Sequence, residues 1–149
     1  DFEWTQLPAR DATAHGGLKR SNRFPNCSYF TNWKKLDDQL TWNVEVGAPG
    51  RYAVELHYAV LEGSQGALLE LGLNGQRLRH TIVQPHEAPA RGMENDRSPR
   101  KSSYVKDFKA VNMGIIELKK GQGVLTLRAL KIPGQEALEF RLLMLRRTK

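Results

Sequence analysis

Cysteine is nearly missing from this chain: one residue, Cys27, stands among 149. A single thiol forms no intrachain disulfide, and thiolates alone build no metal site here. The ordinary role of such a residue is that of a small buried hydrophobe. Apolar runs are short, and none reaches the roughly 18 residues that a membrane-spanning helix needs. Catalytic signatures are lacking too. There is no Gly-x-Ser-x-Gly, no phosphate loop and no dinucleotide fingerprint. The four histidines, His15, His57, His80 and His86, are scattered, with no His-x-x-x-His spacing. The motifs thus give an enzyme active site no support, and only a lyase or hydrolase assembled from scattered residues stays open.

Acidic residues are missing from two particular stretches. From Ala12 to Leu36 there are five basic residues, Lys19, Arg20, Arg23, Lys34 and Lys35, and no acid. From Arg97 to Lys106 there are four basic residues and again no acid. The whole chain carries a formal charge of +7 with a pI near 9.8. Such a balance favours an acidic partner: nucleic acid, anionic lipid, or an acidic or sulfated polysaccharide. Arg146, Arg147 and Lys149 form a third basic group, which reads as a solvated tail. The chain opens at Asp1 rather than at methionine, as expected of a processed or excised piece whose targeting signal lies outside it.

What is present is period-two alternation. Leu40, Trp42, Val44 and Val46 alternate with polar residues, and after "GAPG" so do Tyr52, Val54, Leu56, Tyr58 and Val60. These read as two neighbouring strands joined by a tight connection. "ALLELGL", the pair Asn74-Gly75, and the alternation Leu78, His80, Ile82 read as an antiparallel hairpin. "GIIEL", "VLTLRAL" and "ALEFRLLML" follow, the last apolar enough for a strand covered on both faces. At least seven strands and no amphipathic helix predict an all-β, antiparallel β-sandwich in a single domain over 1–149, with a closed barrel as the other arrangement.

Two segments, 7–36 and 84–109, interrupt the alternation as long irregular loops, and long loops in a compact domain are usually functional or disordered. In the first, Phe24, Tyr29, Phe30 and Trp33 gain by burial or stacking, which argues for order. The second, rich in proline and charge, has disorder as a serious rival. Sugar rings stack their C–H faces on indoles and phenols, and their hydroxyls and anionic groups bond amides and guanidinium groups. The first loop offers Tyr29 and Trp33 as platforms, Asn22, Asn26 and Asn32 as amides, and Arg20 and Arg23 as anion partners. The second offers Asn95, Asp96, Arg97, Arg100, Lys101 and Tyr104. Against this stands a plain alternative in which Phe24, Phe30 and Trp33 only pin the loop to the sandwich. Alternation puts His57 on the face opposite Tyr52, Leu56 and Tyr58, a face that is either solvent or a binding surface. Asp37-Asp38 reads as a turn into the Leu40 strand rather than an acid/base pair. Single-stranded nucleic acid would use similar ingredients, but no RNP, KH or helix-turn-helix pattern is readable.

"LTWNVEVGAPGRYAVELHYAV", "GALLELGLNGQRL" and "MGIIELKKGQGVLTLRALKIPG" resemble the galactose-binding-like jelly rolls, above all family 6 carbohydrate-binding modules, over about residues 37–145. Both irregular loops carry a second likeness. "ARDATAHG" at 9–16, "KRSNRFPNCSYFTNW" at 19–33, "ENDRSPRK" at 94–101 and "SYVKDF" at 103–108 resemble the C-terminal accessory domain of bacterial secreted sulfatases.

The resemblance implies a non-catalytic module, secreted or periplasmic, that brings a linked sulfatase or glycoside hydrolase to an anionic or sulfated polysaccharide. Arg20, Asn22, Arg23, Tyr29, Asn32, Trp33, Asn95, Arg97, Arg100 and Lys101 are its candidate binding residues. Structural calcium would fall to Glu3 and Glu139. The alternative is a structural accessory domain that packs on a sulfatase catalytic domain and binds no glycan.

Overall fold

The computed structural model describes residues 4–21, 29–86 and 108–148. Among these residues eleven strands run in chain order: β1 Trp4–Pro8, β2 Thr13–His15, β3 Lys19–Arg20, β4 Phe30–Thr31, β5 Gln39–Val46, β6 Gly50–Ala59, β7 Leu68–Leu73, β8 Gln76–Thr81, β9 Lys109–Leu118, β10 Gly121–Lys131 and β11 Glu139–Arg147. Among the described residues the one helical element is a 3-10 turn, Ala9–Asp11. All pairings are antiparallel. One sheet has the order β3-β4-β11-β6-β9, with β1 also on β11, and the other the order β2-β5-β10-β7-β8. Two one-sided sheets bury their apolar faces only against each other, as the alternation predicts.

The inward residues fill the space between the sheets. Leu40, Trp42, Leu69, Leu71, Leu125 and Leu127 from one sheet meet Phe30, Leu56, Tyr58, Phe140 and Leu143 from the other, all buried. Trp42 and Phe140 touch with tilted rings at 5.6 Å. The Asn74-Gly75 hairpin is as predicted: both residues have positive φ, 48° and 88°, as a two-residue turn matched to strand twist requires. β11 buries Phe140, Leu143 and Leu145 inward and leaves Leu142 and Met144 half-buried.

Two expectations need correction. β5 and β6 are not paired: β5 lies between β2 and β10, while β6 lies between β11 and β9. "GAPG" is a corner that carries the chain from one sheet to the other, closed by the Tyr52 hydroxyl donating to the Ala48 carbonyl at 2.6 Å. Arg147 Nη2 donates to the Pro49 carbonyl at 2.9 Å and fixes its far side. The segment 7–36 is also less irregular than its pattern, because it contributes β2, β3, β4 and the end of β1 as short strands, with β2 and β3 at sheet edges and β4 between β3 and β11.

Asp38 organises this segment. Its carboxylate is buried, 1% exposed. Oδ1 accepts the Gly17 N–H at 2.7 Å, and Oδ2 accepts the N–H groups of Lys34 and Lys35 at 3.2 and 3.1 Å. Gly16 lies at φ +91°, and a Cβ there would collide with Asp38 Oδ1, so glycine is needed twice over. Asn32, at φ 63°, returns the tie through its Nδ2, which donates to the Gly17 carbonyl at 2.7 Å. The sequence expectation of a turn at Asp37-Asp38 holds, with one of the two carboxylates as its fastener.

Glu70 is the other buried carboxylate, 4% exposed, and it points out of the sandwich from β7. Arg79 Nε donates to Oε2 at 2.9 Å, and Arg128 Nη2 donates to Oε1 at 3.0 Å. Burial alone would raise this carboxyl, but the hydrogen bonds and charges of the two arginines outweigh it and hold it below its ordinary 4.5.

Two stability measurements test these anchors. Asp38→Ala removes the acceptor of three backbone N–H groups and is expected to cost about 2–4 kcal/mol in urea unfolding, whereas a loss under about 0.5 kcal/mol would show the turn to be self-supporting. Glu70→Gln should cost about 1–2 kcal/mol at neutral pH, discounted for the half-exposed arginines. Because the folded carboxyl sits below 4.5, that contribution is complete above this pH and fades as pH falls through the folded value. The gap between Glu70→Gln and the parent chain should therefore narrow in acid; a constant gap refutes the assignment.

Candidate functional site

The strand ends at Ala59, Leu68, Thr81, Lys131 and Glu139 lie at one end of the sandwich, as their pairings show. Segments between β6 and β7, after β8, and between β10 and β11 meet there. Val60 and His86 exchange two backbone hydrogen bonds at 3.0 and 2.9 Å, and the Tyr58 hydroxyl donates to the Gln84 carbonyl at 2.8 Å. Burial pushes the Tyr58 phenol above its usual 10.0. These bonds fasten the chain where it leaves β8 toward the second irregular segment.

β4 belongs to the same end, since Phe30 stands opposite Phe140 at the start of β11. Phe30 faces the core, so Tyr29 before it faces away. The Tyr29 ring meets Phe108, just ahead of β9, with centroids 5.3 Å apart and planes tilted by 59°. β4 and β9 are separated by β11 and β6, and three strand spacings are about 14 Å. The two rings therefore close over the ends of the intervening strands and bring the two irregular segments together. Beside them the Arg20 guanidinium lies over the Phe30 ring, 4.8 Å from its centroid. Leu61 and Val83 stand exposed at this end, 52% and 69%.

The candidate residues divide accordingly. Arg20 and Tyr29 are at the loop end. Asn32 is half-buried and its amide is already committed to Gly17. Trp33 is a correction: its side chain is 0% exposed and its carbonyl accepts the Ala137 N–H at 2.7 Å. The ring anchors the loop to the sandwich and offers no face for stacking. Its Nε1 has no hydrogen-bond partner among the described residues. Asn22, Arg23, Asn95, Arg97, Arg100 and Lys101 lie outside the described residues, as do Cys27 and Glu3. Glu139 is half-buried at the start of β11, opposite Ala59. Among the described residues no three His, Cys, Asp or Glu side chains gather to hold a metal ion. His57 Nε2 is paired with Glu55 Oε1 at 2.7 Å on the outer face of its sheet. Phe108 is the member that the sequence reading did not single out as a binding residue; its signals are the end of the phrase "SYVKDF" and an aromatic immediately before the β9 alternation.

No family model matches the chain, and no curated protein matches it. Solved structures do. A family 35 carbohydrate-binding module from Clostridium thermocellum aligns over 99% of this chain and 100% of its own, with a TM-score of 0.63 at 15% identity. The C-terminal family 6 module of a marine laminarinase from Zobellia galactanivorans aligns over 97% and 99%, with a TM-score of 0.66 at 7% identity. A family 26 and family 35 β-(1,4)-mannanase from Podospora anserina aligns over 99% of this chain with a TM-score of 0.65 at 16% identity, and the chain spans 28% of that larger protein. At these identities the likeness is one of fold: the chain is a jelly-roll β-sandwich of the kind found in family 6 and family 35 carbohydrate-binding modules.

Proposed function

We infer that residues 1–149 form a non-catalytic carbohydrate-binding module. The observation that carries this reading is the meeting of Tyr29 and Phe108, which gathers rings and the Arg20 guanidinium at one end of the sandwich. Apolar ring faces beside charge suit a sugar polymer, whose C–H faces stack while its polar groups bond. The chain's +7 charge and the acid-free stretches support an anionic, sulfated ligand. The loop residues Asn22, Arg23, Asn95, Arg97, Arg100 and Lys101 extend the same chemistry. In this reading the domain is secreted or periplasmic, bacterial, and linked to a sulfatase or glycoside hydrolase that it delivers to substrate. Structural calcium stays a proposal resting on the resemblance to family 6 modules. No described helix is long and apolar enough to cross a membrane.

A second reading has its own observation. Leu61 and Val83 expose apolar surface at the same end, which is what a contact with a neighbouring protein domain uses. The domain would then pack on a sulfatase catalytic domain and bind no glycan.

Affinity electrophoresis of the chain in gels holding neutral or sulfated polysaccharides separates the two. Retention by a sulfated polymer is expected, weakening as salt rises and the Debye length falls from about 10 Å at 0.1 M to about 3 Å at 1 M. Tyr29→Ala should weaken it roughly three- to tenfold through lost ring contact. No retention on any polymer at low salt would sink the first reading and leave the second.

A further inference from the structure

The five-stranded sheet is one strand short along part of its edge. β1 and β2 follow one another along the same side of the sandwich, but the 3-10 turn Ala9–Asp11 between them carries the chain from the six-stranded sheet to the five-stranded one. β2 therefore covers only Gln39, Leu40 and Thr41 of β5. Among the described residues no strand lies beside 42–46 on that side. At the crossing the Trp42 indole donates to the Pro8 carbonyl at 3.3 Å and closes the seam between the sheets. Past that bond the seam opens. Val44 faces inward with Leu40, Trp42 and Val46, yet it is only half-buried where they are buried, and Leu7 on β1 is half-buried too.

The open seam is a recess of about 170 Å³, with Thr5 and Leu7 on one wall and Val44, Glu45, Val46 and Gly47 on the other. Its floor is apolar, made of the buried Leu73, Leu118, Leu125 and Leu145. Consecutive residues of an extended chain point to opposite faces, so a recess that touches four in a row runs along the main chain of β5 rather than over one of its faces. It thus sets an apolar floor beside the edge-facing N–H and C=O groups of β5, which no strand pairs among the described residues.

The opposite side of the sandwich is protected. β9 carries a bulge, where its register on β6 shifts between Val54 and Glu55 and the Asn112 Oδ1 accepts the Gly114 N–H at 2.9 Å. Leu78 of β8 closes on it so tightly that a Cβ at Gly114 would stand 3.1 Å from the leucine Cδ1. β5 has neither device: its register on β10 is unbroken from Gln39 to Val46, and 42–46 hold no proline. An added strand would find main-chain partners at the usual spacing of about 4.8 Å and would set alternate side chains into the recess. Glu45 is exposed on the outer face and favours a basic residue opposite it on that strand.

We propose that the seam between β1 and β5 is a peptide-binding site. An extended polypeptide segment pairs with 42–46, places apolar side chains opposite Val44 and Val46, and sets a lysine or arginine opposite Glu45. The proposal does not rest on the glycan reading, whose described residues lie at the other end of the sandwich.

The test uses the whole 149-residue chain with the probe acetyl-Val-Lys-Val-Thr-Val-amide, which in antiparallel register puts its lysine opposite Glu45. Peptide-induced amide shifts should gather on Thr5, Leu7 and 44–47. Two analogues, N-methylated either at the valines or at the lysine and threonine, each remove the donors on one side of the peptide; their affinities should differ about tenfold, because only one side faces β5. Glu45→Lys should weaken the lysine peptide about two- to fivefold, and a peptide with glutamate in place of that lysine should regain the loss. Val44→Lys, which puts a charge in the recess, should abolish the shifts. Thermal melting confirms that both variants fold. No shifts on 44–47 at millimolar peptide, or unchanged binding by Val44→Lys, would overturn the proposal. Equal binding of the two methylated analogues, or a loss in Glu45→Lys that the glutamate peptide does not regain, would overturn strand addition. A peptide-free dimer in sedimentation, with the edge of β5 protected from hydrogen exchange, would make a second copy of the chain the occupant and overturn the peptide assignment.

Discussion

A carboxylate with almost no access to water is tolerable only when its oxygens are bonded, and Asp38 meets that condition entirely with backbone N–H groups. The bonds join Gly17 to Lys34 and Lys35, which are far apart in sequence and carry no strand pattern of their own. With these points held, Asn32 can close back on Gly17 and Trp33 can sink into the sandwich. Short strands β3 and β4 then have fixed ends from which to pair. The placement of Arg20 and Tyr29 follows from this tie rather than from any preference of the loop itself.

The long strands could be read from the sequence because alternation with one buried face is a direct imprint of sheet packing. Asn74-Gly75 was equally legible, since few other pairs tolerate positive φ at both positions. "GAPG" was not, because turn chemistry says that the chain bends and not which sheet it enters next. Two-residue strands such as β3 and β4 leave no periodic trace. Trp33 shows a different limit: an indole that anchors a loop and one that stacks on a sugar share the same neighbours in sequence. Glu70 looked like an ordinary solvent-facing residue inside "LLELGL", and its burial depends on Arg128, 58 positions away.

The two outer faces of the sandwich have become different materials. On the six-stranded sheet, half-buried Leu142 and Met144 sit beside the His57–Glu55 pair. On the five-stranded sheet, threonines, amides and guanidinium groups dominate. Jelly-roll sandwiches leave such faces free to vary because the fold draws its stability from the inner layer. Recognition chemistry can therefore be placed outside the inner layer without disturbing the core.

β11 lies inside its sheet, with β6 on one side and β1 and β4 on the other. The strand formed from the end of the described chain is thus the one on which the early strands must wait. A ribosome would release β1, β4 and β6 long before their shared partner exists, and the edges they present to it would stay open until β11 is made. Assembly of this sheet is consequently late and dominated by distant pairings, conditions under which folding is slow and unpaired edges invite aggregation.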